Sequence, residues 1–530
     1  MTRAVLLRSE VAAAAAALSL SFVIAGAVPA QAASPGATVA PAASTAAPSA
    51  PGPSAPFAAG ASAPLKAAPL LPGPIVTRHE MTLHGRTLAY VATFTELPLP
   101  EGSASPLATI AATSYVVPSD APSRRPVLVL FNGGPGASSS PLHFNALGPV
   151  RLIERTGREP ARQLEPNPDT LLDAADLVFV DPVGTGYSRV LKTDAPSPYL
   201  GIDGDARAAL AMIRHWLKAQ GREDSPLFIG GQSYGGFRVA SLMRHAKELP
   251  RLDGLLLVSP LLDMSLSTPA PGNELLYAMD LPSMAVAAWR HGRGDRRAQG
   301  ESVGEVFDRA RDFVRSDYLP ALMDGSRLAP ERRDALAARM SALIGLDVED
   351  LKARRLRVDS EYFLTHVLNE PGRRLGRLDT RVTGSSLPPP PGKPTNDPSL
   401  QAGGAGLGPL DAYFRQTLRV PVDRKYVTLS FDVNGRWNWH DVGGQETLYL
   451  NPTRHIADVM RERPAVRLLY TGGYFDMATT VGAAEYALDH AGLPMARVRM
   501  ERFASAHSTY DDDANLARFS KEVRRFLQER

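Results

Sequence analysis

The chain has 530 residues, with 58 Lys or Arg against 55 Asp or Glu, and a formal net charge of +3. This near balance does not indicate a large nucleic-acid-binding surface, because such surfaces concentrate Lys and Arg. The chain contains no Cys, which excludes disulfides, a thiol nucleophile and Cys-ligated metal sites. No metal or other cofactor is expected.

The first 32 residues have the pattern of a secretory signal peptide. Arg3 and Arg8 precede an Ala-rich apolar stretch over residues 11–28, and Ala30 and Ala32 give the small-x-small pattern of a cleavage site. A retained N-terminal anchor is the alternative, since the apolar stretch is barely long enough to span a bilayer. We expect cleavage after Ala32, a secreted or periplasmic protein, and no stable membrane insertion afterwards.

Residues 33–72 consist almost entirely of Ala, Pro, Ser and Gly. Such a segment cannot bury enough apolar surface to offset the entropy lost on ordering, so a disordered linker is predicted. The remaining residues are enough for one large enzyme core with an insertion, or for two domains.

The first part of the core, residues 73–262, has the pattern of an α/β fold. Residues 75–94 and 109–117 alternate in the manner of antiparallel strands. Short apolar runs follow at 127–131, 176–180, 227–229 and 254–258, separated by helix-like segments such as 203–218. We predict a mixed, mostly parallel central sheet with an antiparallel N-terminal edge.

This alternation stops near residue 260. Residues 263–420 are helix-like, rich in Arg and broken by Gly and Pro, with no readable strand series, which predicts a helical cap inserted over the active site. The second part of the core spans 421–530. Its predicted strands are 465–470 and 496–503, with a helix near 482–491 between them and a final helix at 515–528.

A nucleophile elbow is predicted at Ser233. This residue lies between Gly231 and Gly235, directly after the apolar run 227–229 and before a segment with helical spacing. Small residues on either side of the nucleophile allow a tight strand-to-helix turn that exposes the hydroxyl at the end of the sheet.

Two later loops supply the partners that a catalytic Ser needs. A His must accept the proton of the hydroxyl, and a carboxylate must hold the His in the correct tautomer. Asp476 follows the strand 465–470 and His507 follows the strand 496–503, which is the order Ser, acid, His of α/β-hydrolases. Asp263 is the rival acid, since it also follows a predicted strand. The other His residues are assigned structural roles.

An oxyanion hole requires two backbone N–H groups aimed at the substrate carbonyl oxygen. The amide of Tyr234, directly after the nucleophile, is one candidate. The loop after the strand 127–131 is expected to supply the other, because its three Gly residues let the backbone reach the substrate. This loop reads Asn132-Gly133-Gly134-Pro135-Gly136-Ala137-Ser138-Ser139.

These motifs resemble peptidase family S10, the serine carboxypeptidases, which have the α/β-hydrolase fold. The resemblance covers roughly residues 75–530. It is carried by the loop 132–139, the elbow at Ser233, the two loops with Asp476 and His507, and the segment Asp181-Pro182-Val183-Gly184-Thr185-Gly186-Tyr187-Ser188. We interpret the segment 181–188 as a structural loop near the site.

The resemblance implies a role for each site residue. Ser233 is the implied nucleophile, His507 the base and Asp476 the orienting acid, and the amides of Gly134 and Tyr234 form the implied oxyanion hole. Asn132 and Gly133 match the residues that bind the free C-terminal carboxylate of a peptide substrate.

Two acidic residues of the family pattern are missing. In the family, one Glu precedes the nucleophile and another precedes a Leu-Gly-Pro sequence, whereas this chain has Gln232 and Ala146 there. An amide at Gln232 can still donate to a carboxylate, but it does not titrate. We therefore expect activity to rise as His507 loses its proton through near-neutral pH, without an acidic optimum. Ser508 and Thr509 also make the His loop more polar than is usual in the family.

Three functions fit these observations. The first is an exported carboxypeptidase that releases C-terminal residues through an acyl-enzyme. The second is an esterase, acyltransferase or aminopeptidase-like hydrolase on the same triad, and the third is a binding protein that kept the fold without catalysis. Trp437 and Trp439 are interpreted as core packing. Side-chain preference, oligomeric state and the role of the cap are not predicted.

Overall fold

A computed structural model describes residues 70–155, 161–193, 195–295, 300–389, 395–401, 408–443 and 449–529. All of them belong to one compact unit, Pro56–Arg530. The expected signal peptide and nearly all of the expected linker lie outside the described residues.

A large twisted sheet forms the centre of the fold. Its strand order is β1-β2-β3-β7-β4-β9-β10-β13-β14, with β8 paired to β3. Neighbouring strands are antiparallel from β1 through β2 and β3 to β7. They are parallel from β7 onward through β4, β9, β10 and β13 to β14. The predicted mixed, mostly parallel sheet is confirmed. The strands of this sheet are β1 Ile75–Leu83, β2 Arg86–Leu99, β3 Ala108–Val116, β4 Val127–Phe131, β7 Asp176–Asp181, β8 Arg189–Val190, β9 Leu227–Gln232, β10 Gly254–Val258, β13 Arg467–Gly473 and β14 Val498–Phe503.

The central strands are buried on both faces. Every residue of β4, β7, β9 and β10 is buried, which explains why these strands are continuous apolar runs rather than alternating ones. In β4, Val127 and Val129 belong to the core on one face of the sheet, and Leu128 and Leu130 belong to the core on the other. The two-residue period of a strand thus divides one apolar run between two cores.

Helices cover both faces of the sheet. One core contains residues of α2, α3, α13 and α14, and the opposite core contains the apolar stripe of α15. α3 begins directly after Ser233, so the nucleophile lies between a buried strand and a buried helix. These helices are α2 Ile202–Ala219, α3 Tyr234–Leu242, α13 Thr453–Glu462, α14 Val481–Asp489 and α15 Asp513–Gln528.

The segment predicted as a cap contains a third apolar core. Helices α4 to α9 supply most of it, and the core also includes Phe475, Met477 and Ala506 from the loops around Asp476 and His507, and Val481 at the start of α14. The insertion therefore packs directly on the loops of the candidate site. Its helices are α4 Glu274–Arg290, α5 Val303–Phe313, α6 Leu319–Asp324, α7 Pro330–Ile344, α8 Val348–Ala353, α9 Ser360–His366, α10 Pro398–Gln401 and α11 Gly408–Ala412.

Two short strand pairs were not predicted from the sequence. β5 Val150–Arg155 pairs with β6 Ala161–Pro166, and β11 Arg373–Leu375 pairs with β12 Thr383–Ser385 inside the insertion. Both pairs are rich in charged residues and lack an apolar alternation. Two short helices remain, α1 Ser140–Leu142 and α12 Phe431–Gly435. Within the described ranges, no helix combines the length and apolarity needed to cross a membrane.

Candidate active site

Ser233 lies on a strained turn between β9 and α3. Its backbone has φ 60° and ψ −129°, a conformation that L-residues rarely adopt and that is concentrated at functional sites. A Cβ atom at Gly231 would lie 2.1 Å from the carbonyl oxygen of Gly235. Gly231 is therefore required for the turn, and a Cβ atom at Gly235 would lie 2.9 Å from the carbonyl oxygen of Phe131, so both glycines allow the close packing that the sequence pattern predicts.

Asp476 and His507 form a hydrogen-bonded pair. His507 Nδ1 lies 2.7 Å from Asp476 Oδ2, and the Asp476 side chain is fully buried. The other carboxylate oxygen accepts from the backbone N–H groups of Ala478 at 2.7 Å and Thr479 at 3.1 Å. An acceptor carboxylate places the proton on Nδ1 and leaves Nε2 free to accept one.

Thr479 connects this pair to the elbow. Its hydroxyl lies 2.8 Å from Asp476 Oδ2, 3.2 Å from His507 Nδ1 and 2.8 Å from the carbonyl oxygen of Ser259. The same carbonyl oxygen accepts from the backbone N–H of Ser233 at 3.2 Å. Within the described part of the chain, the Ser233 hydroxyl forms no hydrogen bond. Catalytic hydrogen bonds of this kind often tighten only when substrate binds.

The glycine-rich loop packs against the elbow. A Cβ atom at Gly133 would lie 2.4 Å from the backbone nitrogen of Tyr234, so only Gly fits there. Gly134 has φ 101° and is exposed, whereas Gly133 is buried. The loop thus presents Gly134 to solvent beside the first residue of α3, where the two predicted oxyanion donors are expected.

Buried charges hold this loop from both ends. The guanidinium of Arg238, on α3, donates to the backbone carbonyl of Asn132 and to Asp205. Asp181 accepts from the backbone N–H of Ser139 at 2.8 Å and from its hydroxyl at 2.7 Å. Burial raises the pKa of Asp181 to about 6, against the lowering effect of its hydrogen bonds. The segment 181–188 thus supports the loop through Asp181.

Gln232 is hydrogen-bonded through every part of its amide. Its oxygen accepts from Asn132 Nδ2 at 2.6 Å and from the hydroxyl of Tyr510, and its nitrogen donates to the carbonyl oxygen of His507 at 3.0 Å and to the Ser508 hydroxyl at 3.4 Å. Gln232 is buried. The predicted substrate-binding residues Asn132, Gly133 and Gln232 therefore lie together, but the Gln232 amide is occupied by Asn132 and by the His loop, and Asn132 Oδ1 accepts from the backbone N–H of Leu142 at 3.1 Å.

A short segment of the insertion, residues 376–381, contacts both catalytic loops, and we name it the strap. The carbonyl oxygen of Arg377 accepts from Met477 N at 3.0 Å, and that of Leu378 accepts from His507 N at 2.9 Å. Thr380 N donates to the carbonyl oxygen of Phe475 at 3.0 Å. The strap is thus bonded on both sides of Asp476 and at His507 itself.

Arg381 extends this connection to the end of the His loop. Its guanidinium donates to Asp379 at 2.8 Å and to Asp511, and Asp511 Oδ2 accepts from the backbone N–H of Ala506 at 2.9 Å. Ala506 directly precedes His507. Side-chain charges of the insertion therefore help fix the loop that carries the candidate base.

Asp280 is a buried carboxylate of α4 near the catalytic pair. It accepts from the hydroxyl of Thr480 at 2.9 Å, and Thr480 caps α14 by accepting from Ala483 N. The pKa of Asp280 is raised to about 7, mainly by burial and in addition by the charge of Asp476, against the lowering effects of the Thr480 hydrogen bond and the charge of Arg377.

The remaining sequence predictions concern residues near the site. Asp263, the rival acid, caps the turn Met264–Ser267 and accepts from Tyr449 and Asn451, and it has no bond to His507. Trp437 and Trp439 pack edge-on against the Tyr234 ring, at 5.2 and 5.7 Å between ring centroids. No group of three or more His, Asp or Glu within the described ranges is arranged to hold a metal ion.

Residues 114–279 match the family model described as serine carboxypeptidase. The matched stretch contains the glycine-rich loop, the segment 181–188 and the elbow. The positions that depart from the family pattern, Ala146 and Gln232, both lie inside the matched stretch.

Curated relatives from this family match shorter stretches. Serine carboxypeptidase-like 36 of Arabidopsis thaliana is 33% identical over 151 residues, which cover 26% of this chain and 29% of the relative. The retinoid-inducible serine carboxypeptidase of Mus musculus is 33% identical over 123 residues, covering 23% of this chain and 25% of the relative. The alignments span about a quarter to a third of the length of the curated family members that match.

A solved carboxypeptidase structure shares the fold over most of the chain. The Kex1 prohormone-processing carboxypeptidase of Saccharomyces cerevisiae superposes with a TM-score of 0.51 at 13% identity, covering 82% of this chain and 90% of that chain. The predicted α/β-hydrolase fold is confirmed.

Several residues around the site were missed by the sequence interpretation. Thr479, Tyr510, Arg381 and Asp280 each contact a catalytic loop or one of its neighbours. Thr479 is close in sequence to Asp476, but no pattern singles it out, whereas Tyr510, Arg381 and Asp280 reach Gln232, Asp511 and Thr480 across long stretches of the chain. Arg381 and Asp280 also come from a segment whose packing cannot be read from local periodicity.

Proposed function

We propose that this protein is a serine-type carboxypeptidase that releases C-terminal residues from peptides through an acyl-enzyme. The hydrogen bond of 2.7 Å between His507 and the buried Asp476, beside the strained turn at Ser233, is the observation that carries the proposal. The family match over residues 114–279 supports the same reaction class.

The proposed reaction follows the Ser–His–Asp scheme. His507 Nε2 takes the proton of the Ser233 hydroxyl as the oxygen attacks the scissile carbonyl carbon, and the carbonyl oxygen becomes an oxyanion. When the C–N bond breaks, His507 gives this proton to the leaving amine. His507 then takes a proton from water as the water oxygen attacks the acyl carbon. The ester C–O bond to Ser233 breaks, the peptide acid is released, and His507 gives the proton from water to the Ser233 oxygen.

The amides of Gly134 and Tyr234 are the proposed oxyanion donors. Backbone donors fixed before the reaction stabilise the developing charge without reorganisation, and removing one such donor typically costs about 10²–10³-fold in kcat. The steric fit of Gly133 against Tyr234 N supports this assignment, since it holds the two donor segments together.

Hydrolysis of esters, or acyl transfer to another acceptor, is the second candidate. The saturated amide of Gln232 and the apolar Ala146 favour it, because neither supplies a charged or free polar group for a substrate carboxylate. The triad chemistry is the same in both candidates. They differ in the leaving group and, for acyl transfer, in the acceptor that takes the place of water.

A comparison of three substrates separates the candidates. We would measure kcat/KM for an N-blocked dipeptide, for its C-terminal amide and for a p-nitrophenyl ester, with Ser233→Ala as the inactive control. Preference for the free acid over the amide supports the carboxypeptidase, and turnover of the ester alone supports the second candidate. Absence of fluorophosphonate labelling of Ser233 in folded protein would exclude catalysis by this site.

We also propose that the protein is exported to a secreted or periplasmic location. The Arg-flanked apolar stretch at residues 11–28 and the Ala-x-Ala sequence ending at Ala32 support this. N-terminal sequencing of the protein isolated from its natural host tests it. The expected mature chain begins at Ala33.

A further inference from the structure

Arg377 is an exposed cation at the edge of the candidate site. It lies in the strap, one residue from the carbonyl that accepts the backbone N–H of His507. Within the described residues, its guanidinium has no hydrogen-bond or ion-pair partner. The backbone from which it projects is fixed by two contacts, since Arg377 N donates to the Asp397 carboxylate at 3.2 Å and Arg377 O accepts from Met477 N.

The nearby acidic groups of the insertion are occupied or buried. Asp379 is paired with Arg381, and Asp397 accepts from the backbone N–H and hydroxyl of Ser399. Asp280 is buried and bonded to Thr480, and the charge of Arg377 lowers its pKa. Arg377 is therefore close enough to Asp280 to influence its ionisation, and the charge of Asp476 acts on the same carboxyl group.

The position of the strap indicates which part of a substrate it faces. In the proposed reaction His507 protonates the leaving amine, so the leaving group lies on the His507 side of Ser233. The strap is bonded to the backbone of His507 and to the loop of Asp476. A carboxypeptidase releases an amino acid that carries a free carboxylate, so this product leaves along the side of the site that the strap borders.

The two positions that are acidic in the family pattern supply no charge for that carboxylate. Gln232 is neutral and its amide is saturated, and Ala146 is apolar and buried. A guanidinium with free N–H groups is the side chain best suited to bind a carboxylate through two parallel hydrogen bonds.

Resting on the proposed function, we infer that Arg377 binds a carboxylate of the residue that a peptide substrate releases. The main-chain carboxylate and an acidic side chain of that residue present the same chemistry. Arg377 is therefore a residue that determines substrate preference on the leaving-group side.

The test compares Arg377→Gln and Arg377→Lys with the unaltered protein. Arg327→Gln is the matched control, because Arg327 is an exposed Arg of the same insertion. The substrates are N-blocked dipeptides that release Glu or Gln, as free acids and as C-terminal amides. We expect Arg377→Gln to lower kcat/KM about tenfold, mainly through KM, on substrates with the recognised carboxylate, with partial recovery in Arg377→Lys.

The pattern of loss identifies the carboxylate. If kcat/KM falls equally for the free acids that release Glu and Gln, and does not fall for the substrate that releases Gln amide, Arg377 binds the main-chain carboxylate. If kcat/KM falls only for the substrates that release Glu or Glu amide, Arg377 binds the side-chain carboxylate. Unchanged kinetics, or equal loss on every substrate, would overturn the inference.

A second measurement separates this inference from the proposed function. If the protein hydrolyses only the p-nitrophenyl ester, the carboxypeptidase proposal fails, and inhibition of ester hydrolysis by free glutamate and glutamine then reports binding directly. An inhibition constant raised about tenfold in Arg377→Gln supports a carboxylate site at Arg377. An unchanged constant overturns it.

Discussion

The side-chain amide of Gln232 donates to the backbone carbonyl oxygen of His507 at 3.0 Å. The residue before the candidate nucleophile is therefore bonded to the candidate base itself. This donor role requires a neutral amide or a protonated acid, because an ionised carboxylate is only an acceptor. The difference between Gln and the Glu of the family pattern thus changes how the two catalytic loops are held together.

Replacing Gln232 with Glu is expected to make stability depend on pH. An ionised Glu would face the His507 carbonyl without a proton to donate, in a buried site, so its pKa in the folded protein would be raised. We expect Gln232→Glu to lose about 1–3 kcal/mol of unfolding free energy at pH 8 and less at pH 5, where the acid is protonated. Urea denaturation at both pH values measures this. Equal losses at the two values would show that the donor bond contributes little.

Replacing Asp476 with Asn tests the orienting role of the acid. The Asn amide can place an N–H toward His507 Nδ1, which favours the wrong tautomer, and we expect kcat to fall by about 10³–10⁴-fold. Thr479→Val is the matched neighbour variant, since it removes a hydroxyl 2.8 Å from Asp476 but keeps the carboxylate. We expect it to lose about tenfold at most. Steady-state kinetics on the p-nitrophenyl ester give both values, and a smaller loss in Asp476→Asn than in Thr479→Val would argue against a catalytic Asp476.

Arg381→Met is expected to loosen the His loop. The substitution leaves the Asp511 carboxylate, which accepts from Ala506 N, without its cation. We expect a loss of about 1–3 kcal/mol in unfolding free energy, a fall in kcat with little change in KM, and partial rescue by Arg381→Lys. Arg333→Met is the control, because in the described part of the chain the ion pair of Arg333 is with its half-buried neighbour Asp334, away from the His loop. If stability falls while kcat is retained, Leu378 O alone is enough to hold His507.

The glycine-rich loop gives a steric prediction. A Cβ atom at Gly133 would lie 2.4 Å from Tyr234 N and 2.8 Å from the carbonyl oxygen of Gln232, both backbone atoms that cannot move without moving the elbow. We expect Gly133→Ala to lower kcat by at least about 10²-fold, which is the effect of losing an oxyanion donor. Gly73→Ala is the control, because a Cβ atom there meets nothing within 4 Å. Full activity in Gly133→Ala would place the oxyanion hole elsewhere.

The sequence predicted the features that local patterns encode. The buried strands before Asn132, Ser233 and Asp476 are short apolar runs, and the elbow has a glycine pattern that follows from close packing. The strap could not be predicted, because its bonds to Met477 and His507 join residues about 100 or more positions apart through backbone atoms, which carry no sequence signal. The hydrogen bonding of the whole Gln232 amide could not be predicted either, since one of its partners, Tyr510, is distant in the chain and belongs to no motif.

Asp280 provides the clearest pH-dependent prediction. Its pKa is about 7 in the folded protein, against an ordinary value of 3.8, because it is buried and near Asp476. A carboxyl whose pKa is raised on folding stabilises the fold while it is protonated, and this contribution is lost as pH rises from about 4 to about 7. Asp280→Asn removes the titration but keeps an oxygen that can accept from Thr480. We therefore expect the variant to gain stability relative to the unaltered protein as pH rises, by a few kcal/mol between pH 4 and pH 8.

Urea denaturation across this range measures the difference, with Asp350→Asn, on the exposed side of α8, as the control. A difference that does not change with pH would mean that Asp280 is ionised throughout, with Arg377 compensating its charge.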